Sequence, residues 1–134
     1  MIIDGTDLLL GRLATHVAKN VLLGEEITIV NCENVVISGN KKTIIAHYKR
    51  KRERGEPSHG PHFPRRADLI VKRTVRGMLP YKTNRGMLAL KRVKCYLGND
   101  NAEKAETLVN AKVDKLPNLK YMQLNELSKL LGAK

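Results

Sequence analysis

The residues of this sequence best suited to chemistry are cations, and they are concentrated in one central stretch. Residues 41–94, called the basic block below, hold 17 of the chain's 25 lysines and arginines but only three acidic residues, a net charge of +14. Residues 1–40 sum to −3 and residues 95–134 to +1, for a formal net charge of +12 over 134 residues. Because concentrated like charge destabilises a compact fold, the pattern predicts a polyanionic partner, either nucleic acid or an anionic membrane surface.

The types of residue in the basic block favour nucleic acid. Arginine outnumbers lysine from Arg50 to Arg85, and the planar guanidinium both binds phosphate and stacks on bases. Tyr48, Phe63 and Tyr81 are interleaved with these cations. Tyr48 falls on an apolar stripe and is predicted to belong to the core. Phe63 and Tyr81 fall in predicted loops, where a ring can stack on an unpaired base.

Patterns typical of nucleotide-binding enzymes are weak. Gly5 and Gly11 lie between a predicted strand and a predicted helix, which invites comparison with a phosphate-binding loop. The spacing is one residue too long, however, and the Lys-Ser/Thr pair of such a loop is missing. A simpler use of the same geometry is retained: the helix N-terminus near Gly11, with Arg12 beside it, is suited to one backbone phosphate.

Metal-binding and nucleophilic patterns are equally weak. His59 and His62 form the one clustered pair of metal-type ligands, and Cys32 and Cys95 would have to reach that loop from apolar runs to complete a zinc site. No serine or cysteine lies in a nucleophile-elbow motif, and the acidic residues are too scattered for paired-carboxylate catalysis. The sequence therefore predicts no catalytic residue, no metal and no cofactor.

The first 40 residues predict the scaffold. A strand over residues 1–4 is followed by an amphipathic helix over 12–23, which ends before Gly24, and by a buried strand over 27–30. Strand, helix and strand within about 30 residues is the βαβ pattern of a parallel sheet. Residues 33–37 are ambiguous between a short strand and an irregular connection.

The remaining elements must position the basic block. Helices are predicted over residues 41–52, with Asn40 as N-cap, and over 67–78, and they are separated by an exposed proline-rich loop over 55–64. Further predicted elements are a helical turn over 85–90, strands over 93–97 and 119–123, a polar segment over 99–114 that is partly helical over 102–109, and a terminal helix over 124–131.

The chain-level features indicate one domain over residues 1–134. The sequence contains no apolar run of the length that spans a membrane, and from its first residues we expect no secretory leader. Both cysteines lie in apolar runs and are predicted to be buried, reduced thiols, as is usual inside cells.

Several motifs together resemble a known family. The central motif is VRGMLP at residues 75–80, followed after five residues by Gly86 and then by VKCYLG at 93–98. Two further motifs are LGRLA at 10–14 and VISGNK at 36–41. In this order they resemble the signature of the universal large-subunit ribosomal protein L-thirteen (L13) family, in its archaeal and eukaryotic branch.

The resemblance implies an α/β fold with three layers, α/β/α, around a mainly parallel four-stranded sheet. It also implies a structural protein of the large ribosomal subunit that assembles early, in the cytoplasm, and binds ribosomal RNA beside neighbouring ribosomal proteins. The resemblance implies no enzymatic site, no binding to a membrane and no obligate homo-oligomer. By motif position, the implied RNA contacts are Arg12, Lys41, Arg76, Lys82 and Arg85. Charge and predicted exposure add Lys49, Arg50, Lys51, Arg52, Arg54, Arg65, Arg66, Lys72, Arg73, Lys91 and Arg92.

Two alternatives from other classes stay open at this point. A small nucleotide-handling or RNA-modifying enzyme would bind its ligand at the carboxyl ends of the strands, where Asp4 and Asn31 lie. A membrane-surface protein would need a basic amphipathic helix with a bulky apolar face, whereas the helices predicted here use their apolar faces on the sheet.

Overall fold

The computed structural model describes residues 1–98 and 104–134. Within these residues there are five strands, five α-helices and short 3₁₀ turns. The strands are β1 (Ile2–Asp4), β2 (Ile27–Val30), β3 (Val36–Ser38), β4 (Val93–Cys95) and β5 (Tyr121–Gln123). The α-helices are α1 (Leu10–Leu22), α2 (Lys41–Glu53), α3 (Ala67–Met78), α4 (Asn84–Lys91) and α5 (Leu124–Leu130).

The predicted βαβ unit is confirmed. Strands β1, β2 and β4 pair in parallel in the order β1-β2-β4, with Ile3 opposite Ile29 and Ile29 opposite Cys95. The outer edge of β1 is covered by the later chain, because the Asp4 amide donates to the Glu106 carbonyl at 3.1 Å. The central strand β2 is almost wholly buried, as expected for a parallel sheet covered by helices, whereas β4 exposes Lys94.

The predicted four-stranded parallel sheet is not confirmed. Over the described residues, the strand predicted at 119–123 forms as β5, but it pairs antiparallel with β3 in a separate two-stranded sheet, with Val36 opposite Gln123. The reason lies just after β2, where Asn31 adopts a left-handed backbone conformation (φ +54°) and starts a 3₁₀ turn over Cys32–Asn34. This turn carries the chain away from the parallel sheet, so the ambiguous residues 33–37 contribute to both a turn and a strand.

The helices follow their apolar periodicity. α3 has the predicted bounds, and α1 and α2 match within two residues. The Asn40 side chain caps α2 by accepting a hydrogen bond from the Lys42 amide at 3.0 Å, as predicted. α1 packs chiefly against α3 and also against α4, and their buried residues form one core with the sheet. Met78 and Leu130 fall on the apolar stripes of α3 and α5 in the sequence, which predicts burial, but both are exposed, at 42% and 47%.

The last part of the chain closes the fold. Glu106 pairs with β1 where a helix over 102–109 was predicted, and residues 102 and 103 of that helix lie outside the described residues. α5 packs on the 3₁₀ turn after β2 through buried Leu124 and Leu127. No helix in the described parts of the chain is long and apolar enough to cross a membrane.

Both cysteines are free thiols, as predicted. Cys32 is fully buried, whereas Cys95 is only partly buried, so the prediction of burial is confirmed for Cys32 alone. The pKa of the Cys32 thiol is raised, first by the neighbouring Cys95 thiol and then by burial.

Candidate nucleic-acid interface

The first wall of the candidate interface is α2, which has a narrow apolar face and a wide basic one. Ile44 is buried and Tyr48 half-buried, while Lys49 and Arg50 are exposed. With so few apolar positions, the helix lies at the surface of the protein and presents most of its circumference to solvent.

The second wall is α3, which is more strongly amphipathic. Ile70, Val71 and Val75 are fully buried against the core. Arg73 is exposed on the opposite side, and Arg76 is partly exposed one turn later. Because α3 is anchored by its buried face, the cations on its outer face project from a rigid support.

Between α2 and α3 lies a hollow of about 430 Å³, which we call the α2–α3 hollow. Its cations come from three places: Lys51 from α2, Arg54 just after α2, and Arg73 from α3. The lining contains no acidic residue. Its complete lining is Tyr48, Lys51, Arg54, Pro61, Phe63, Arg73, Thr74 and Gly77.

Aromatic rings and cations are interleaved in this hollow. The rings of Tyr48 and Phe63 meet edge to face, with centroids 5.7 Å apart. The Lys51 ammonium lies 5.2 Å from the Tyr48 centroid and 5.7 Å from that of Phe63, and the Arg73 guanidinium lies 6.0 Å from Phe63. These are cation–π distances. Burial raises the pKa of the Tyr48 phenol.

The aromatic predictions are met to different degrees. Tyr48 packs against the core, as predicted. Phe63 also packs against the core, so it is less accessible than its place in a proline-rich loop indicated. Tyr81 is exposed, and the Arg76 guanidinium lies 4.4 Å from its ring centroid.

A second, smaller hollow of about 320 Å³ adjoins the first. Arg73 lines both, and Lys72 and Arg76 provide the other cations of the second. Its remaining lining is apolar: Pro64, Leu69 and Leu90. Sharing Arg73, the two hollows form one concave basic surface along α3.

Two more cations follow α3: Lys82 lies in the turn after it, and Arg85 lies in the first turn of α4. Lys82 and Arg85 are both exposed, and the predicted single helical turn over 85–90 is the longer helix α4. The Thr83 hydroxyl accepts a hydrogen bond from the Gly86 amide at 3.2 Å and so caps α4. A side chain at position 86 would collide with the preceding turn, since an ideal Cβ there lies 2.1 Å from the Pro80 carbonyl oxygen.

Five of the sixteen predicted contact residues already bind other parts of the chain. Arg66 pairs with the buried Asp68 carboxylate at 2.8 Å, and Arg52 donates to the Leu131 carbonyl at 2.6 Å. The remaining three interactions are Lys41 with Glu126 at 3.0 Å, Arg12 with the Asn110 carbonyl at 3.2 Å, and Arg92 with the Val21 carbonyl at 3.3 Å. The interactions of Lys41 and Arg52 hold the C-terminal region against the basic block, and that of Arg92 joins the block to α1.

The side chains of the other eleven cations make no hydrogen bond or ion pair with the described chain. Three of them, Lys51, Arg73 and Arg76, lie over aromatic rings. Eight make no side-chain hydrogen bond, ion pair or cation–π contact within residues 1–98 and 104–134: Lys49, Arg50, Arg54, Arg65, Lys72, Lys82, Arg85 and Lys91. An exposed cation without an internal partner keeps its hydrogen-bonding capacity for phosphate.

Arg12 occupies a different surface from the α2–α3 hollow. It lines a hollow of about 570 Å³ between the outer face of α1 and residues 107–111, together with His16 and Lys19. The prediction that the start of α1 binds a phosphate stays a prediction.

The enzyme alternative requires polar groups that are available to a ligand at the carboxyl ends of the strands. The Asp4 carboxylate at one of these ends makes internal hydrogen bonds instead. One oxygen of Asp4 accepts from the Thr6 amide at 3.0 Å, the Thr6 hydroxyl at 2.8 Å and the Asn31 side chain at 2.9 Å. Burial raises the pKa of Asp4, but the bonds from Asn31 and Thr6 outweigh it, and the net pKa is lowered below 3.8. Gly5 is required by packing, because a Cβ there would lie 2.8 Å from Val35. The carboxylate therefore stabilises a turn.

No group of three or more histidine, cysteine, aspartate or glutamate residues suited to a metal ion occurs in the part of the chain that the structure describes. His59 and His62 are exposed in the loop between α2 and α3.

Gly77 is a component of the site that was not predicted from the sequence. Gly77 is exposed near the end of α3 and lines the α2–α3 hollow. The available signal was a glycine within a helix-forming, basic sequence, where it weakens the helix without an evident turn.

Comparison with known proteins agrees with the motifs. The family description "Ribosomal protein L13" matches residues 1–102. The chain belongs to the ribosomal protein L13 family. Among its relatives, the large ribosomal subunit protein uL13 of Methanocaldococcus jannaschii is 51% identical over 138 residues, covering 99% of this chain and 98% of the relative. That of Methanosarcina barkeri is 49% identical with the same coverage, and that of Haloarcula marismortui is 41% identical, covering 99% of this chain and 91% of the relative.

Proposed function

We propose that this chain is a structural constituent of the large ribosomal subunit that binds ribosomal RNA and supports its folding and assembly. Membership of the L13 family and relatives named as large-subunit proteins support the assignment. The observation that carries the RNA-binding part is the convergence of cations from α2, from Arg54 just after it and from α3 on one concave surface. The protein acts in the ribosome, in the cytoplasm, and it is not an enzyme.

The mechanism is neutralisation of phosphates by a preformed surface. About six to ten of the eleven cations without hydrogen bonds or ion pairs to the rest of the chain bind the RNA backbone, and most contacts fix position rather than read sequence. The four cations of the basic block that bind carbonyls or carboxylates, Lys41, Arg52, Arg66 and Arg92, hold the surface in shape. Neighbouring ribosomal proteins occupy other faces of the chain.

The test is a double charge reversal, Arg76→Glu with Arg85→Glu. We expect it to abolish binding to a large-subunit ribosomal RNA fragment in a filter-binding assay and to leave the far-UV spectrum unchanged. Neither side chain hydrogen-bonds another residue in the described chain, and a glutamate at position 85 suits the N-terminal turn of α4. The control, Lys120→Glu with Lys134→Glu, changes net charge equally outside the basic block. Equal affinity of both variants would move the RNA site elsewhere.

A second experiment tests the place of the protein in the particle. The tagged protein is expected to co-sediment with large subunits through a moderate-salt wash. Loss into the soluble fraction, with RNA binding intact in isolation, would contradict the assignment to the subunit.

Three finer features are also proposals: the three-layer α/β/α arrangement, the single domain over residues 1–134, and the absence of an obligate homo-oligomer. They are supported by the family and by the single core that joins all the helices. One cooperative unfolding transition and a monomeric mass at micromolar concentration are the expected results.

A further inference from the structure

Gly77 is a helical glycine for which the described chain gives no packing reason. An ideal Cβ built on it meets no atom within 4 Å, and its φ is not in the left-handed region. Gly86 is the opposite case, because its Cβ would overlap the Pro80 carbonyl. Since glycine weakens a helix relative to alanine, an unneeded glycine points to close approach from outside, where a ligand reaches the helix backbone.

The surroundings of Gly77 define what approaches. Gly77 lies on the wall of the α2–α3 hollow, which holds three cations, two aromatic rings and no carboxylate. The volume of about 430 Å³ falls within the range of roughly 300–1,000 Å³ that is typical of small-ligand sites. Cations select an anionic group and rings select a flat one, and the two together match a nucleotide.

We propose that the α2–α3 hollow holds a single unpaired nucleotide of the ribosomal RNA. Its base lies against the Phe63 ring, and its phosphate lies among Lys51, Arg54 and Arg73. Gly77 leaves room for the sugar-phosphate backbone beside α3. This inference rests on the proposed function and deepens it, because it adds one extruded nucleotide to a surface that otherwise binds backbone phosphates.

The experiment compares a variant that fills the α2–α3 hollow with a variant that removes the Phe63 ring. Gly77→Leu adds a side chain that occupies the space, and Phe63→Leu keeps an apolar residue but removes the stacking face. Ala46→Leu is the matched control, because Ala46 is exposed on α2 two residues before Tyr48 and therefore on another face of the helix. Each variant is measured for its Tm, its affinity for a large-subunit ribosomal RNA fragment, and nucleotide-resolution chemical probing of the bound RNA.

We expect Gly77→Leu to bind about 10- to 100-fold more weakly, as the loss of one stacked base predicts, with an equal or higher Tm. Phe63→Leu loses about 10-fold, and Ala46→Leu stays within about two-fold of the original protein. Probing is expected to show one unpaired nucleotide that the original protein protects and that becomes reactive with Gly77→Leu, while the other protections persist. Should Gly77→Leu lower the Tm, Phe63→Leu and the smaller Gly77→Ala carry the same test.

Two results would overturn the inference. If both Gly77→Leu and Phe63→Leu bind the RNA with the affinity and the footprint of the original protein, the hollow does not hold a nucleotide. The RNA-binding proposal would still stand in that case. Unchanged RNA binding with loss from reconstituted subunits would assign the hollow to a neighbouring protein. Failure of the original protein to bind the RNA would refute the proposed function as well, so the two failures are distinguishable.

Discussion

The division of the arginines into two groups gives a quantitative prediction. Arg54, Arg73 and Arg85 make no hydrogen bond or ion pair with the described chain, and we compare their triple replacement by glutamine with that of Arg52, Arg66 and Arg92. Both triple variants lose the same net charge and the same three guanidinium groups. If the division is right, the first triple changes RNA binding and the second changes stability.

The expected magnitudes follow from the contacts. Each lost phosphate contact flattens the slope of log K against log salt by about 0.9, so the first triple flattens it by about 3 and weakens binding roughly 500-fold at about 0.1 M salt. The second triple loses hydrogen bonds to the Leu131 and Val21 carbonyls and leaves the buried Asp68 without its cation. Charge-assisted bonds contribute about 1.5–3 kcal/mol each, less where exposed, so its unfolding free energy falls by about 2–4 kcal/mol.

The assays are filter binding over a salt series and urea unfolding followed by circular dichroism. The first triple is expected to unfold at the original urea concentration, and the second is expected to keep a slope within about 1 of the original. Equal flattening by the two triples would refute the distinction between contacting and positioning arginines. So would a loss of stability confined to the first triple.

Two smaller predictions concern the scaffold. Gly86→Ala should lower the free energy of unfolding by more than about 2 kcal/mol in urea, because the new Cβ would overlap the Pro80 carbonyl oxygen; an unchanged midpoint would contradict this. The lowered pKa of Asp4 makes its contribution to stability complete above about pH 3.8 and lost as the pH falls through the lower folded value. Asp4→Asn should remove this acid-dependent part of the stability, and identical acid unfolding of both proteins would exclude the assignment.

The sequence predicted local structure well where one short-range pattern decided it. The apolar spacing of α3 and the Asn40 cap of α2 are properties of neighbouring residues, and both are confirmed. The pairing of β5 with β3 depends on residues about 85 positions apart and on the left-handed Asn31, neither of which has a periodic signal. The strand itself was therefore predicted, whereas its sheet was not.

The candidate site shows the same division. The basic block could be located from the sequence because the net charge of a segment is a sum over its residues. That sum requires no knowledge of the three-dimensional structure. It did not show that Arg52 and Arg92 bind backbone carbonyls, since any residue has a carbonyl and the partners are 79 and 71 positions away. The packing of Phe63 against the core was missed for a related reason: the proline-rich loop folds back between two helices that only the tertiary structure brings together.

The central claim is that the sheet and helices of this protein hold a cationic surface against folded ribosomal RNA. Its most direct test is the salt dependence of binding to a large-subunit ribosomal RNA fragment. If six to ten of the eleven cations without internal hydrogen bonds or ion pairs contact phosphate, the slope of log K against log salt is about −5 to −9. A slope shallower than about −2 would contradict the account, because so few phosphate contacts would not require this surface.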